Sequence, residues 1–310
     1  MALKKKKVSA RRQHVRKTMS PERFARLAAF ANSTMPIAFG VLMLFIVAAT
    51  ALLSIETAEK KLFDPEDSVF KPWPQIAAVA TLVALVCVGI SLYVRHYEPR
   101  ILRRPTRIIA LGGLFLILLF ITKVGSFDES WTYLATGSAV TCGIILTIAY
   151  NQRFAIGMTL FYSIIACFVF FTIDKIATIE LFLMMTAGFM TCCFFLKEIR
   201  TRMKLIEVTA LAATVVFVTA AALGVIGKRG SEIIFFTSGT AAAITIAVGV
   251  VIQGFLPMIE KVFGIATSMT LLDYSDANQP LLKKLAMDAP GTFSHSLLIG
   301  SIAEAAAEAI

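Results

Sequence analysis

The chain has 310 residues, 57% of them hydrophobic and only 16% charged, with a mean hydropathy of +0.78; this excludes an ordinary soluble globular domain and points to a polytopic membrane protein. The formal net charge is +10, but residues 1–26 alone hold ten Lys and Arg against one Glu, so the excess bears on orientation in a bilayer before nucleic acid. All five cysteines, Cys87, Cys142, Cys167, Cys192 and Cys193, lie inside apolar runs, which leaves no disulfide framework in the loops and no zinc-finger spacing.

The N-terminal basic stretch lacks interleaved aromatics. Attraction to anionic headgroups, worth about 1 kcal/mol per basic residue near the surface, accounts for it without a nucleic-acid partner. The first long apolar run starts at Met35, far from the N-terminus and without a clear small-residue cleavage site, so it reads as a retained anchor rather than a secretory signal. Ser20-Pro21-Glu22 predicts a helix start, with Ser as N-cap, Pro at the first helical position and an acid in the first turn. A short cytoplasmic helix leading into the membrane is expected there.

Eight apolar segments follow, at 35–55, 76–93, 108–122, 131–150, 154–173, 176–196, 205–226 and 233–258. About 20 helical residues cross the hydrocarbon core, so the third segment is expected to be short. Only Asp174-Lys175 divides the fifth from the sixth. With the N-terminus inside, the inside segments hold 20 basic residues, including Arg95, Arg100, Arg103, Arg104, Arg107 and Arg153, while the outside loops hold seven. Cationic loops resist translocation, so both termini are expected in the cytoplasm.

Ionisable residues in the middle of a span mark ion pathways, because each is costly in hydrocarbon. Here Lys123, Asp174, Lys175, Glu180 and Glu207 fall near span ends, where snorkelling explains them. Ser138, Thr141, Thr245 and Gln253 are the nearby polar material, and hydroxyls bonded to their own helix backbone explain most of it. Coupled transport is therefore disfavoured. Gly239, Ala243 and Ala247 form a small-residue face in the last span, followed by Gly249, which permits close helix packing. The sequence leaves the oligomeric state open, a homo-oligomer included. Trp73 and Trp131 stand at outer-leaflet edges, where aromatic belts belong.

Beyond the last span the pattern predicts a helix near 257–263, a short segment at 270–274, a turn at Asp276-Ala277-Asn278 and an amphipathic helix over 280–287. Pro290-Gly291 breaks that helix, and Thr292 is placed to N-cap a new one. On it His295, Leu298, Ile299, Ile302 and Ala306 share a face, so His295 is read as pointing to a buried side near the helix start. It is the only histidine after the last span; His14 and His96 lie elsewhere. A lone histidine on an apolar face is ordinarily a hydrogen-bonded core residue, with metal ligation the alternative.

Residues 254–310 contain Leu256-Pro257, Glu260-Lys261-Val262-Phe263-Gly264-Ile265, Ser275-Asp276-Ala277-Asn278, Pro280-Leu281-Leu282, and Ala289-Pro290-Gly291-Thr292 running through His295-Ser296-Leu297 to Ala303-Glu304. This stretch closely resembles the membrane-to-catalytic junction of the seven-transmembrane HD-domain phosphohydrolases, bacterial proteins whose characterised members hydrolyse cyclic di-AMP. The resemblance implies one anchoring helix, an extracellular domain, seven spans and a cytoplasmic HD domain. It implies an all-α polytopic membrane bundle of eight transmembrane helices followed by the first helices of an all-α HD domain. The expected layout is a basic cytoplasmic segment (1–32), a membrane domain (33–258), cytoplasmic linker helices (259–288) and the start of the HD domain (289–310). It further implies a multi-pass protein of the bacterial cytoplasmic membrane, a cyclic dinucleotide substrate, a divalent metal pair (iron or manganese), and His295 as one metal ligand, with Ser294 where the family often has a preceding histidine.

Two departures qualify this. The outside loop at 56–75 is too short for the family's extracellular sensing domain. The adjacent His-Asp pair and later ligands of the site are missing, and one imidazole cannot hold two ions whose task is to generate hydroxide and clamp a phosphodiester. As given, the chain is expected to be inactive and to be a fragment or early-terminated copy of a longer enzyme. The alternative from another class is a non-catalytic polytopic sensor or scaffold.

Overall fold

The structure, a computed structural model, describes residues 21–55, 72–102, 104–127, 131–170, 175–196, 202–264, 274–276 and 278–309. Eleven helices follow one another among them: α1 (Pro21–Ser54), α2 (Trp73–Tyr97), α3 (Pro99–Leu102), α4 (Pro105–Gly125), α5 (Leu134–Ala149), α6 (Gln152–Phe170), α7 (Lys175–Phe195), α8 (Arg202–Ile226), α9 (Ser231–Phe263), α10 (Pro280–Asp288) and α11 (Pro290–Glu308). The chain is a polytopic membrane helical bundle. Seven of these helices, α1, α2, α4 and α6 to α9, are long and apolar enough to cross a membrane.

The shortfall expected in the third span falls in the fourth. Pro105 opens α4 at its first turn and the helix runs through Lys123 to Gly125, giving 21 residues. By contrast α5 has 16 residues, about 24 Å at 1.5 Å per residue against a hydrocarbon core of about 30 Å. Its position explains the tolerance. Buried residues cover α5 from Ala135 to Leu146 on all sides, and it packs against α4, α6, α7 and α9. Protein neighbours rather than lipid enclose it, so its length need not match the bilayer. Small residues bring those neighbours close: Gly137 faces Ile244 of α9 and Gly143 faces Phe189 of α7.

Contacts between helix ends establish an up-and-down course. At one end the Lys123 ammonium donates to the Ile55 carbonyl at 2.7 Å, and Arg229 donates to Glu180 at 2.7 Å. At the other end the Tyr93 hydroxyl donates to the Arg153 carbonyl at 2.7 Å, and Asn151 donates to Glu98 at 2.9 Å. Arg95, Arg100, Arg104, Arg107 and Arg153 gather at this second, basic end. Trp73, the first residue of α2, and Trp131, just ahead of α5, stand at the opposite end and are both exposed, as an aromatic belt requires.

Lys123 corrects one expectation. It does not snorkel: the residue is 3% exposed and turns inward, where its charge meets a main-chain carbonyl and lies 5.9 Å from the Phe127 ring. The hydroxyls of Thr141 and Thr245 do bond to their own helices, at Gly137 and Ala241. Ser138 does more, as one member of a buried hydroxyl triangle. Thr122 of α4, Ser138 of α5 and Tyr162 of α6 stand 2.8 to 2.9 Å apart, tying three helices together in the apolar interior.

The small-residue face of α9 is also corrected. Ala243 and Ala247 are exposed, while the packed seam runs through Ser238, Ala241, Thr245, Gly249, Ile252, Leu256, Ile259 and Phe263. Steps of three and four keep that seam on one side. Gly249 is used as expected, since it lies directly against the Thr209 side chain of α8.

Candidate functional site

The seam of α9 carries the chain out of the bundle. With 33 residues, α9 is about 50 Å long, well over the hydrocarbon thickness. No separate helix begins at Pro257, contrary to the sequence reading. Pro257 costs the helix one backbone hydrogen bond, yet it lies on the exposed side while Leu256, Ile259 and Phe263 remain buried, so packing holds the helix continuous. Gly264 ends it in the left-handed conformation (φ 61°, ψ 48°), its N–H donating to the Glu260 carbonyl, a geometry that favours glycine.

Phe263 anchors this exit. Its ring meets Tyr150, the C-cap of α5, edge-on at 6.1 Å, and Tyr150 meets Phe154 of α6 at 5.0 Å. Phe154 in turn stacks on Tyr93 of α2 at 6.0 Å. A chain of aromatics thus crosses the basic end of the bundle from α2 to the last residue of α9. The sequence reading missed it; the available signal was the recurrence of aromatics at helix ends beside arginines.

Beyond α9, the segment expected at 270–274 lies largely outside the described residues. The predicted turn is present: the Asn278 N–H donates to the Asp276 carboxylate at 2.9 Å and the Gln279 N–H to the Asp276 carbonyl at 3.0 Å. Then α10 and α11 pack against one another. The expected break is there, since α10 ends at Asp288 just ahead of Pro290, but Pro290 itself occupies the first turn of α11, with Ala289 rather than Thr292 at the N-cap position; proline suits that position because its missing N–H would have no helical partner.

His295 sits in the second turn of α11, exposed. The stripe read as facing a buried side is also exposed, Leu298 at 58%, Ile299 at 53% and Ile302 at 61%. Among the described residues no three His, Cys, Asp or Glu side chains converge to hold a metal ion. The described residues therefore do not by themselves fit a dinuclear centre. Residues 290–308 form an exposed, apolar-rich helix with one imidazole in its second turn.

Residues 73–267 match the family described as 7TM receptor with intracellular HD hydrolase. The match opens at the first residue of α2 and covers seven apolar helices, α2 and α4 to α9, leaving α1 ahead of it. Among curated proteins, the chain is 26% identical over 258 residues to the cyclic-di-AMP phosphodiesterase PgpH of Bacillus subtilis, covering 78% of this chain and 35% of that protein. It is 24% identical over 245 residues to the PgpH of Listeria monocytogenes, covering 77% and 34% respectively. An uncharacterized Synechocystis protein, slr0104, is 44% identical over 54 residues, 17% of this chain and 7% of its own length. No solved structure matches. The chain spans about a third of the length of the PgpH relatives, and HD-domain phosphodiesterases depend on divalent metal. With a match over well more than half of its residues, running from the start of α2 past the aromatic exit of α9, the chain belongs to the family of seven-transmembrane receptors with an intracellular HD hydrolase.

Proposed function

We propose that this chain is the membrane-embedded and junction part of a phosphohydrolase that opens cyclic di-AMP to a linear product on the cytoplasmic side of a bacterial inner membrane. The observation that carries this is the continuity of α9: one helix runs unbroken from the bundle to its cap at Gly264, and α10 and α11 follow it along the sequence, in the order that the family places its hydrolase. The PgpH relatives supply the substrate class. The Arg-rich end, which includes the exit of α9, faces the cytoplasm in this reading, because translocating Arg95, Arg100, Arg104, Arg107 and Arg153 is unfavourable.

In the proposed enzyme His295 contributes one ligand to a divalent metal pair of iron or manganese, ions suited by mixed imidazole and carboxylate donors. The pair supplies a hydroxide nucleophile and a charge clamp for the phosphodiester when bound. This chain's own part is to present His295 on a helix whose apolar stripe, Leu298, Ile299 and Ile302, is free to receive further helices of the hydrolase. An exposed apolar stripe of this kind is stabilised by what packs on it.

The test is to incubate membranes containing these residues joined to a whole HD domain with cyclic di-AMP and follow formation of the linear dinucleotide. Conversion that requires added divalent metal supports the proposal. Its absence in a folded, metal-loaded preparation favours a non-catalytic sensor or scaffold.

A further inference from the structure

At the basic end of the bundle α1, α2 and α4 part around a cavity of about 290 Å³. Phe45, Cys87, Leu111 and Phe115 wall it and are all buried, and Ile101 of α3 lies at its base. The one charged side chain lining it is Arg95. That residue is exposed, and among the described residues no carboxylate pairs with it. Glu98, three residues on, instead accepts from Asn151. Arg100 and Arg104 are likewise exposed and Arg107 half-buried, so the rim is cationic while the wall is not.

The dimensions fit one leaflet. Cys87 and Arg95 both line the cavity, and the eight helical steps from one to the other correspond to about 12 Å. Half of a hydrocarbon core of about 30 Å is about 15 Å. The cavity therefore runs through most of one leaflet with its charge at the polar boundary. On the α1 side it is lined by Ala38 and Phe39, the latter 59% exposed, on a helix whose main packing partners among the described elements are α2, α3 and α4. Lipid has access there. Ser91, the polar side chain within, donates to its own helix at Cys87, which leaves the interior suited to hydrocarbon rather than water.

We propose that this cavity seats an acyl chain of an anionic phospholipid, whose phosphate is held by Arg95 at the rim. A guanidinium at the interface pairs with phosphate oxygens through parallel N–H donors, and basic pockets between helices favour anionic headgroups. The assignment is independent of the hydrolase reading.

The 310-residue chain, delipidated in detergent, is titrated with phosphatidylglycerol or phosphatidylcholine of the same acyl chains, and retained lipid is counted by native mass spectrometry. Expected is one tightly retained phosphatidylglycerol, preferred over phosphatidylcholine by about fivefold, the ratio that one interfacial charge supplies. Arg95→Gln is expected to remove the preference and Arg95→Lys to keep part of it. Ala38→Phe, which fills the cavity, is expected to abolish retention of both lipids; should it not fold, the exposed Arg95 variants still decide. Equal retention of the two lipids by the unmodified chain, or an undiminished preference in Arg95→Gln, overturns the proposal. Displacement of the lipid by glycerol phosphate alone also overturns it, because the site is then one for a free anion.

Discussion

Tyr150 and Phe263 meet edge-on, with ring centroids 6.1 Å apart and planes at 89°, and so join the end of the short central helix α5 to the end of the long exit helix α9. Because α5 touches α4, α6, α7 and α9, this contact ties the exit to the helix with buried residues on all its sides. Phe263 is 4% exposed, and Phe263→Ala is expected to destabilise the bundle by about 3 kcal/mol. Phe263→Leu should cost markedly less. Thermal unfolding in detergent, followed by tryptophan fluorescence, checks both.

Gly249 gives a second, sterically defined prediction. A methyl group there would run into the Thr209 side chain, which is buried and held by bonds to the Leu205 and Ile206 carbonyls. Gly249→Ala is therefore expected to destabilise by about 1–3 kcal/mol, although alanine is the better helix former. Pairing it with Thr209→Ala should recover part of the loss, and a double-mutant cycle on unfolding midpoints measures the coupling. Additive effects would place the strain elsewhere.

The hydroxyl triangle predicts a small effect. Thr122 and Ser138 each have a main-chain carbonyl within reach, Leu118 at 3.0 Å and Ala135 at 2.8 Å, as well as one another. Three hydroxyl protons thus serve five contacts, and removing the Tyr162 hydroxyl strands neither remaining partner. Tyr162→Phe is expected to cost about 1 kcal/mol or less, whereas Tyr162→Ala, which empties a fully buried site, should cost several times more. Comparison of the two unfolding midpoints decides it.

Lys228 offers a substitution in the opposite direction. It adopts φ 52° in the turn after α8, where the Arg229 N–H reaches back to the Gly224 carbonyl at 3.1 Å. A left-handed residue at this position is ordinarily glycine. Lys228→Gly is expected to raise stability by about 1 kcal/mol while leaving the Arg229–Glu180 pair intact, and the unfolding midpoint should rise.

Hydropathy made the apolar helices legible, because each crosses a medium that admits few other solutions. Their ends were less so. Pro105 could equally close a loop or open a helix, and only packing shows that α4 absorbs the residues up to Gly125 while Trp131 to Tyr133 stay outside α5. Proline rules also misled at Pro257, where burial of Leu256, Ile259 and Phe263 outweighs one lost hydrogen bond. Lys123 read as a snorkelling cation because sequence position near a span end says nothing of the carbonyl that Ile55 turns toward it. The exit was legible as a resemblance between residues 254 and 310, whereas the aromatic chain through Tyr93, Phe154 and Tyr150 was not, since its members come from three separate helices. His295 was singled out as a metal ligand by the same resemblance, and its exposure depends on what α11 packs on, which helical spacing does not encode.

The role assigned to His295 is tested most directly by metal content and turnover together. A protein carrying these residues with a whole HD domain is purified with and without His295→Ala, and bound metal and cyclic di-AMP hydrolysis are measured on folded material. Expected is a clear loss of bound metal in the variant with hydrolysis reduced by about 100-fold or more, as ligand removal does where outer-shell changes alone cost 10–100-fold. Unchanged metal occupancy and unchanged hydrolysis would contradict the assignment.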